Sequence, residues 1–395
     1  MDIRLEPREL SGAVAAVSSK SQLHRLLICA LLAQGETGIA FRGLSEDMTA
    51  TIDCLRALGR TVTVSDGLIT VAAGRRQAAD PALDCSESGT TARLLLPVAA
   101  TLAKQFSMTA RGRLPGRPMA ELCEALEGAG VKFSSHRLPL EAAGTLRPGL
   151  FRLPGNVSSQ YISGLLLALP TLAGDSELTL TTPLSSAAYV NMTLAAMRLF
   201  GVEAGVGHIP GGQTYVSPGA VTAEGDWSNA AVWLTFPDVT VTGLNLESAQ
   251  GDRAAPELID KIRRDGDIEI DIDETPDLLP VLAALAARRR GSCRFTKAAR
   301  LRLKESDRLE VAAELIRGVG GAAEAGADTL TVWGKERLAG GAVDAAGDHR
   351  MVMAAAVLAG LTQGPVTVRG CEAINKSYPD FFADYAALGG AAHVL

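Results

Sequence analysis

Aromatic side chains make up only 4% of this 395-residue sequence, while hydrophobic residues reach 47%, so any core must be built from Ala, Leu, Val and Gly, a composition typical of α/β or α+β enzymes. Histidine is as sparse: the five residues (His24, His136, His208, His349, His393) are unclustered, which excludes the spacing of a zinc site. The six cysteines form no CxxC pair and fall mostly inside apolar stretches (Cys29, Cys54, Cys123), so the reading is reduced thiols in a cytoplasmic protein. No secretory leader is evident, and apolar runs are broken by Gly, Pro or polar residues before they could span a bilayer. Neither GxGxxG nor GxxxxGK[ST] occurs, so no dinucleotide and no P-loop nucleotide is indicated. There is no basic excess either. The net charge of −6 argues against nucleic acid, and Arg288–Arg290 sits at a helix end, where cations are favoured in any case.

What the chain does contain is a repeated phrase. An apolar helix pattern closes on a glycine and a short alternating segment follows: CLRALG at Gly59, ALEGAG at Gly130, AMRLFG at Gly201, IDKIRRDG at Gly266, LIRGVG at Gly320 and YAALG at Gly389. Helical periodicity, a glycine free to take a left-handed backbone, then period-two alternation describe one helix–strand unit each time. The sequence is therefore a sixfold internal repeat.

A second helix recurs between these phrases, at Ser19–Glu36, Ser88–Ala103, Ser158–Gly174, Asp226–Phe236, Thr275–Arg289 and Asp348–Leu361. Each opens on a small polar or capping residue and then turns almost wholly apolar, the pattern of a helix buried on most of its surface. The start of such a helix offers unpaired N–H groups and a partial positive charge, which suits an anion. The length favours two domains of three repeats. The boundaries are placed at residues 19–225 for one, and at 1–18 plus 226–395 for the other. The Gly/Pro-rich stretch 205–225 reads as a hairpin leading to the crossover, and the N-terminal segment as a strand that must pair elsewhere.

Those helix starts carry unusual charge. Lys20, Ser21 and Arg25 open the first buried helix, Arg93 follows Gly89 in the second, Ser158, Ser159 and Gln160 open the third, and Arg350 lies in the last. A cation near a helix N-terminus opposes the dipole, and inside an apolar helix it also costs desolvation, so an anion must neutralise it. An internal Asp or Glu could be that anion as well as a ligand. The segment Leu301–Leu309 (LRLKESDRL) is the densest charge cluster; Lys304 and Arg308, four apart, are expected to share a helix face, with Glu305 and Asp307 between. Arg113 and Arg117, and Lys376, precede prolines that read as helix starts. Lysine is scarce, yet Lys20, Lys304 and Lys376 all fall in these motifs, where a tunable point charge is useful beside a reacting phosphate. Asp277, in DETPDLLP, reads as the start of a buried helix and is the best-placed general base among the cations.

Taken in order, SKSQLHR (19–25), SGTTAR (88–93), RP (117–118), SSQY (158–161), SxxY (186–189), PD (276–277), KESDR (304–308), DHRM (348–351) and NKSYPDF (375–381) resemble the 5-enolpyruvylshikimate-3-phosphate synthases (3-phosphoshikimate 1-carboxyvinyltransferases) of the enolpyruvyl transferase family. The resemblance spans nearly the whole chain. It implies an α/β fold of two inside-out α/β barrel domains, each of three βαβαββ-type repeats, with the active site in the interdomain cleft. The implied reaction moves the enolpyruvyl group of phosphoenolpyruvate to the 5-hydroxyl of shikimate 3-phosphate by addition and elimination. By resemblance, Lys20, Ser21, Arg25, Ser158, Ser159, Gln160, Ser186, Tyr189, Asp277 and Lys304 would hold shikimate 3-phosphate, mainly on the N-terminal domain. Lys20, Gly89, Arg117, Gln160, Arg308, Arg350 and Lys376 would hold phosphoenolpyruvate, with the C-terminal domain mainly its side. Proton transfer would fall to Asp277, Glu305, Lys20 and Lys376, their division of labour left open. No metal or organic cofactor, no nucleic acid and no membrane is expected, and the chain is expected to act as a monomer.

Three features depart from the family pattern: Arg300, Glu87-Ser88 ahead of Gly89, and a short stretch from Val239 to Ile272 that obscures the fourth repeat. Two rivals remain at this point. The sister transferase acting on UDP-N-acetylglucosamine shares the chemistry but carries a cysteine just before its RP motif, where this chain reads ARGRLPG. A non-catalytic phosphate-ester binder would need only the cations, not Asp277 and Glu305.

Overall fold

Small polar residues relieve the unpaired N–H groups of a helix's first turn, and this chain places one, with its side chain accepting, at the start of five of its buried apolar helices. The computed structural model describes residues 1–74 and 78–395. Within it, Ser18–Glu224 forms one unit and Met1–Val17 together with Gly225–Leu395 forms another.

The first unit holds α1 (Lys20–Leu32), α2 (Glu46–Ala57), α3 (Gly89–Leu102), α4 (Ala120–Glu127), α5 (Ser159–Ala168) and α6 (Ala187–Leu199). Helices α1, α3 and α5 are the apolar ones. Their caps Ser19, Ser88 and Ser158 accept from the backbone N–H groups of Gln22, Thr91 and Gln160. Each is buried almost all round, as a continuous run from Leu23 to Leu31 in α1 shows. They form the unit's interior, and short sheets cover them. The second repeat gives the full pattern: strand Ala82–Asp84, α3, strand Gln105–Thr109, α4, then strands Val131–Phe133 and Leu140–Gly144. The first two strands pair in parallel, as a helical crossover requires, and the last two join antiparallel. Helices α3 and α5 meet at Gly164, where a Cβ would lie 2.5 Å from the Arg93 carbonyl oxygen and 2.9 Å from Pro97 Cγ.

The second unit holds α7 (Trp227–Leu234), α8 (Ala255–Arg263), α9 (Leu279–Ala286), α10 (Arg308–Gly318), α11 (His349–Leu361) and α12 (Phe381–Ala387). Here α7, α9 and α11 are the buried helices, α7 and α11 capped by the side chains of Asp226 and Asp348. The fifth repeat reproduces the full pattern, with strands Ile268–Asp271, Ser292–Thr296, Leu330–Trp333 and Ala322–Ala325 side by side. In the sixth, the N-terminal strand Ile3–Leu5 takes a central place, antiparallel to both Val366–Arg369 and Ala392–Val394. The fourth repeat is cut to two parallel strands, Ser11–Ala15 and Asp238–Thr242, which accounts for its shortness in sequence. All six phrase-ending glycines take positive φ: 93° at Gly59, 100° at Gly130, 74° at Gly201, 94° at Gly266, 86° at Gly320 and 96° at Gly389.

The sheets are open, of two to four strands, and none among the described residues closes on itself. Three expectations are corrected. Residues 205–225 form no hairpin: strand Gly207–Ile209 pairs with Ser176–Leu180, whereas Ala220–Thr222 joins the sheet of Thr37–Ala40. Lys304 shares no helix face with Arg308. It terminates a 3-10 turn in extended backbone, and α10 starts at Arg308 because Asp307 caps it. Asp277 likewise precedes its helix, in a 3-10 turn at Pro276–Leu278.

Candidate active site

In the first unit the charged helix starts fall into three groups. Lys20 Nζ lies 2.7 Å from Asp47 Oδ2, a nearly buried pair joining α1 to α2. The same helix starts are tied by a chain of buried groups: His24 Nδ1 to Thr51 Oγ1 at 2.7 Å, Thr51 Oγ1 to Thr91 Oγ1 at 2.7 Å, and Thr91 Oγ1 to Ser88 Oγ at 2.7 Å. Burial, with Lys20 and Arg25 nearby, holds the His24 pKa well below its usual value, so the ring is neutral.

Arg25 is only 1% exposed, yet its hydrogen bonds go to neutral oxygens: Thr193 Oγ1 at 2.7 Å, Ser21 O at 2.6 Å, Tyr189 O at 3.0 Å and Ser163 Oγ at 3.5 Å. Burial draws its pKa down to about 10. A buried cation bonded only to neutral groups is a receptor for an anion. Ser186, beside Tyr189, is buried and takes a left-handed backbone at φ 55°, so α6 begins with a sharply turned chain.

The third group gathers on Gly89. A Cβ there would lie 3.0 Å from Nη1 of both Arg93 and Arg117. Arg93 Nη1 donates to Gln160 Oε1 at 2.9 Å, and Gln160 Nε2 donates to Thr90 Oγ1 at 2.9 Å, so the starts of α3 and α5 share one polar network. Ser158 caps α5 and Ser159 is buried beside it. Two guanidinium groups over two helix N-termini suit a phosphate.

The second unit gathers Asp277, Lys304, Glu305, Arg308 and Arg350. Asp277 accepts from Arg308 Nη1 at 2.7 Å and from Arg350 Nη2 at 3.3 Å, with Lys304 Nζ at 3.8 Å. Arg308, 1% exposed, also donates to Glu305 Oε2 at 2.9 Å and to Asp348 Oδ2 at 2.8 Å. Asp348 takes a further bond from Ser306 at 3.0 Å while accepting from the backbone N–H of Arg350 at 2.9 Å. Arg350 Nη1 donates to Asn229 Oδ1 at 2.9 Å. Burial alone would raise the Asp277 pKa, but the positive charges of Lys304, Arg308 and Arg350 overcome it and hold the carboxyl far below its usual range. Lys376 Nζ donates to Gly347 O at 2.7 Å, next to Asp348 in sequence. Arg300, a departure from the family pattern, is held by Asp273 at 2.5 Å.

Sequence reasoning missed Asp47, Thr51, Thr193, Asn229, Asp252 and Ser306. These are short polar residues whose partners lie far along the chain, and no local pattern marks them. Asp348 was legible as a cap, because caps are local; its bond to Arg308 was not.

A family model described as EPSP synthase (3-phosphoshikimate 1-carboxyvinyltransferase) matches residues 5–385. The 3-phosphoshikimate 1-carboxyvinyltransferase of Clostridium kluyveri is 36% identical over 419 aligned positions, covering 98% of this chain and 97% of that protein. That of Clostridium novyi is 35% identical, covering 98% of each. An EPSP synthase structure from Acinetobacter baumannii superposes with a TM-score of 0.83 at 22% identity over the whole of both chains, a likeness of fold with two inside-out α/β domains. With full-length relatives above 30% identity and a family model over nearly all its residues, this chain belongs to the EPSP synthase (3-phosphoshikimate 1-carboxyvinyltransferase) family.

Proposed function

We propose that the chain transfers the enolpyruvyl group of phosphoenolpyruvate to the 5-hydroxyl of shikimate 3-phosphate, the step of the shikimate pathway that its family carries out. The observation that carries the reading is the pair of carboxylates, Asp277 and Glu305, built among Lys304, Arg308 and Arg350. Binding alone would need the cations only; carboxylates among them supply acid–base groups.

In the proposed reaction a proton adds to the methylene carbon of phosphoenolpyruvate, leaving C2 electron-poor. The 5-hydroxyl oxygen bonds to C2 as its proton leaves, and the tetrahedral adduct then loses phosphate and the proton gained at the methyl carbon. Asp277 takes the hydroxyl proton and Glu305 serves the carbon, with Lys20 and Lys376 as further participants. Arg308 and Arg350 hold the substrate carboxylate. Gly89, Arg117, Gln160, Lys20 and Lys376 hold the departing phosphate, whose growing charge they stabilise. Arg25, Ser21, Ser158, Ser159, Gln160, Ser186, Tyr189 and Lys304 hold shikimate 3-phosphate, to which Lys20 and Asp277 also reach.

Asp277 as it stands is a weak base, because three cations depress its pKa. Anionic substrates that neutralise those cations restore its proton affinity, so base strength arrives with the substrates. The unit Ser18–Glu224 would be mainly the shikimate 3-phosphate side and the other mainly the phosphoenolpyruvate side. Among the described residues no helix is long and apolar enough to cross a membrane, and the described cysteines are free and buried. A monomer acting in the cytoplasm is consistent with both.

Phosphate release from phosphoenolpyruvate tests the reading. Release with shikimate 3-phosphate and none with UDP-N-acetylglucosamine is expected. The reverse pattern would move the chain to the sister transferase, and silence with both in a folded protein would leave a binding protein.

A further inference from the structure

Asp252 has no part in the reaction as read above, yet it belongs to the same charge cluster. It lies in the 3-10 turn Gly251–Ala254 and is 3% exposed. Oδ2 accepts from the Ser228 hydroxyl, and Oδ1 is buried with no hydrogen-bond partner. An ionised carboxylate with one oxygen buried and unpaired is costly, whereas the protonated acid is far less so. The groups facing it oppose ionisation too. Asp226 and Ser228 come from the start of α7, Asp277 from its own turn and Arg350 from α11: two carboxylates against a single cation. On α8, which continues from the turn, Glu257, Asp260, Lys261 and Arg263 are exposed to solvent, as is Arg253 on the turn itself. Burial, then the Asp277 charge, lifts the Asp252 pKa to about 7, against the Ser228 bond and Arg350.

We propose that Asp252 is the proton-linked residue of this half-site: it is protonated while Arg350 and Arg308 hold a ligand anion and ionises more readily when they do not, so binding of phosphoenolpyruvate takes up a proton. The inference rests on the reading that these arginines hold the phosphoenolpyruvate carboxylate. The direction follows from linkage. An anion beside Asp252 disfavours a second negative charge, and by reciprocity an ionised Asp252 weakens the anion. Asp252 is thus a positioning residue acting through charge on Arg350, not a group that touches the reacting atoms.

The test is KM for phosphoenolpyruvate at saturating shikimate 3-phosphate, from pH 6 to 9, in the wild type and in Asp252→Asn. Asparagine keeps an acceptor for Ser228 but cannot ionise. The wild-type KM is expected to climb with pH about five- to tenfold more than that of the variant, with kcat changing little. Equal climbs in the two proteins would overturn the proposal, as would a pH-independent loss of both kcat and affinity, which marks a merely structural role. Infrared difference spectra of the ligand-free proteins give a readout free of the ligand assignment. A protonated-carboxyl band present at pH 6, lost by pH 8.5 and missing in Asp252→Asn supports it, and its absence at pH 6 refutes it. An Arg350→Ala variant with unchanged KM would strike the ligand reading, and the coupling with it, while leaving the infrared result standing.

Discussion

Replacing Asp277 with asparagine separates its two roles, as a base and as a counter-ion. The side chains are nearly isosteric, so Arg308 keeps Glu305 and Asp348 at 2.9 and 2.8 Å, whereas Arg350 loses its carboxylate partner at 3.3 Å. At an effective dielectric constant of about 20, a charge pair at that distance is worth roughly 5 kcal/mol before desolvation is counted. Most of this is offset by the cost of burying the ions. If about a fifth survives, a ligand carboxylate arriving at the unpaired Arg350 gains roughly 1 kcal/mol, or about fivefold in affinity. Loss of a positioned base lowers the rate by about 10²- to 10⁴-fold. Initial rates of phosphate release should therefore show kcat down at least a hundredfold with KM for phosphoenolpyruvate lowered, not raised. Thermal-shift titration with phosphoenolpyruvate should show a larger ligand-induced stabilisation than in the wild type. A kcat within threefold of wild type would refute the base assignment. A tenfold rise in KM would refute the electrostatic account.

Arg25→Met removes a buried cation whose bonds reach only neutral oxygens. We expect KM for shikimate 3-phosphate to rise about 10- to 100-fold, while thermal unfolding of the ligand-free protein moves upward; a lower melting point would contradict the account of Arg25. Gly89→Ala puts a methyl 3.0 Å from two guanidinium groups, so phosphoenolpyruvate KM should rise roughly tenfold, a cost of about 1–2 kcal/mol, with shikimate 3-phosphate KM unchanged. Gly164→Ala meets backbone at 2.5 Å and cannot be accommodated by a side-chain shift; chemical denaturation should show a loss of at least about 1–3 kcal/mol. Asp252→Asn should be stabilising at alkaline pH. Its folded pKa of about 7 exceeds the unfolded 3.8, so the buried carboxyl costs stability progressively as pH rises between those values. The variant should match wild type near pH 4 and exceed it at pH 8 by up to about 4 kcal/mol; equal stability at pH 8 would disprove this.

The repeat was legible because its determinants are local. A glycine after an apolar helix forces one backbone geometry, and a serine or aspartate before one satisfies the first turn. The starts at Ser19, Ser88, Ser158, Asp226 and Asp348 could thus be read almost to the residue. The same locality misled at Lys304 and Arg308. Their spacing fits a helix face, but Asp307 between them is the stronger signal, and as a cap it begins the helix only at Arg308. The cations near helix starts were visible as anomalies. What neutralises them was not, because Asp47, Asp348 and Asp277 meet their partners 27, 40 and 73 positions away. Nothing in the sequence around Asp252 announces a buried acid; only the packing of α7 against its turn makes it one.

The N-terminal strand has a consequence for how the molecule is made. Ile3–Leu5 lies between strands near the far end of the chain, and the Met1 amino group pairs with Glu372, 371 positions later. At about 5–20 residues per second of synthesis, those first residues wait roughly 20–70 s for their neighbours. Meanwhile the described strands of Ser18–Glu224 pair only with one another, so their sheets do not wait for the end of the chain. The early strand, with its unpaired edge, must stay out of the sheets forming behind it; its brevity and its charged Asp2, Arg4 and Glu6 serve that wait.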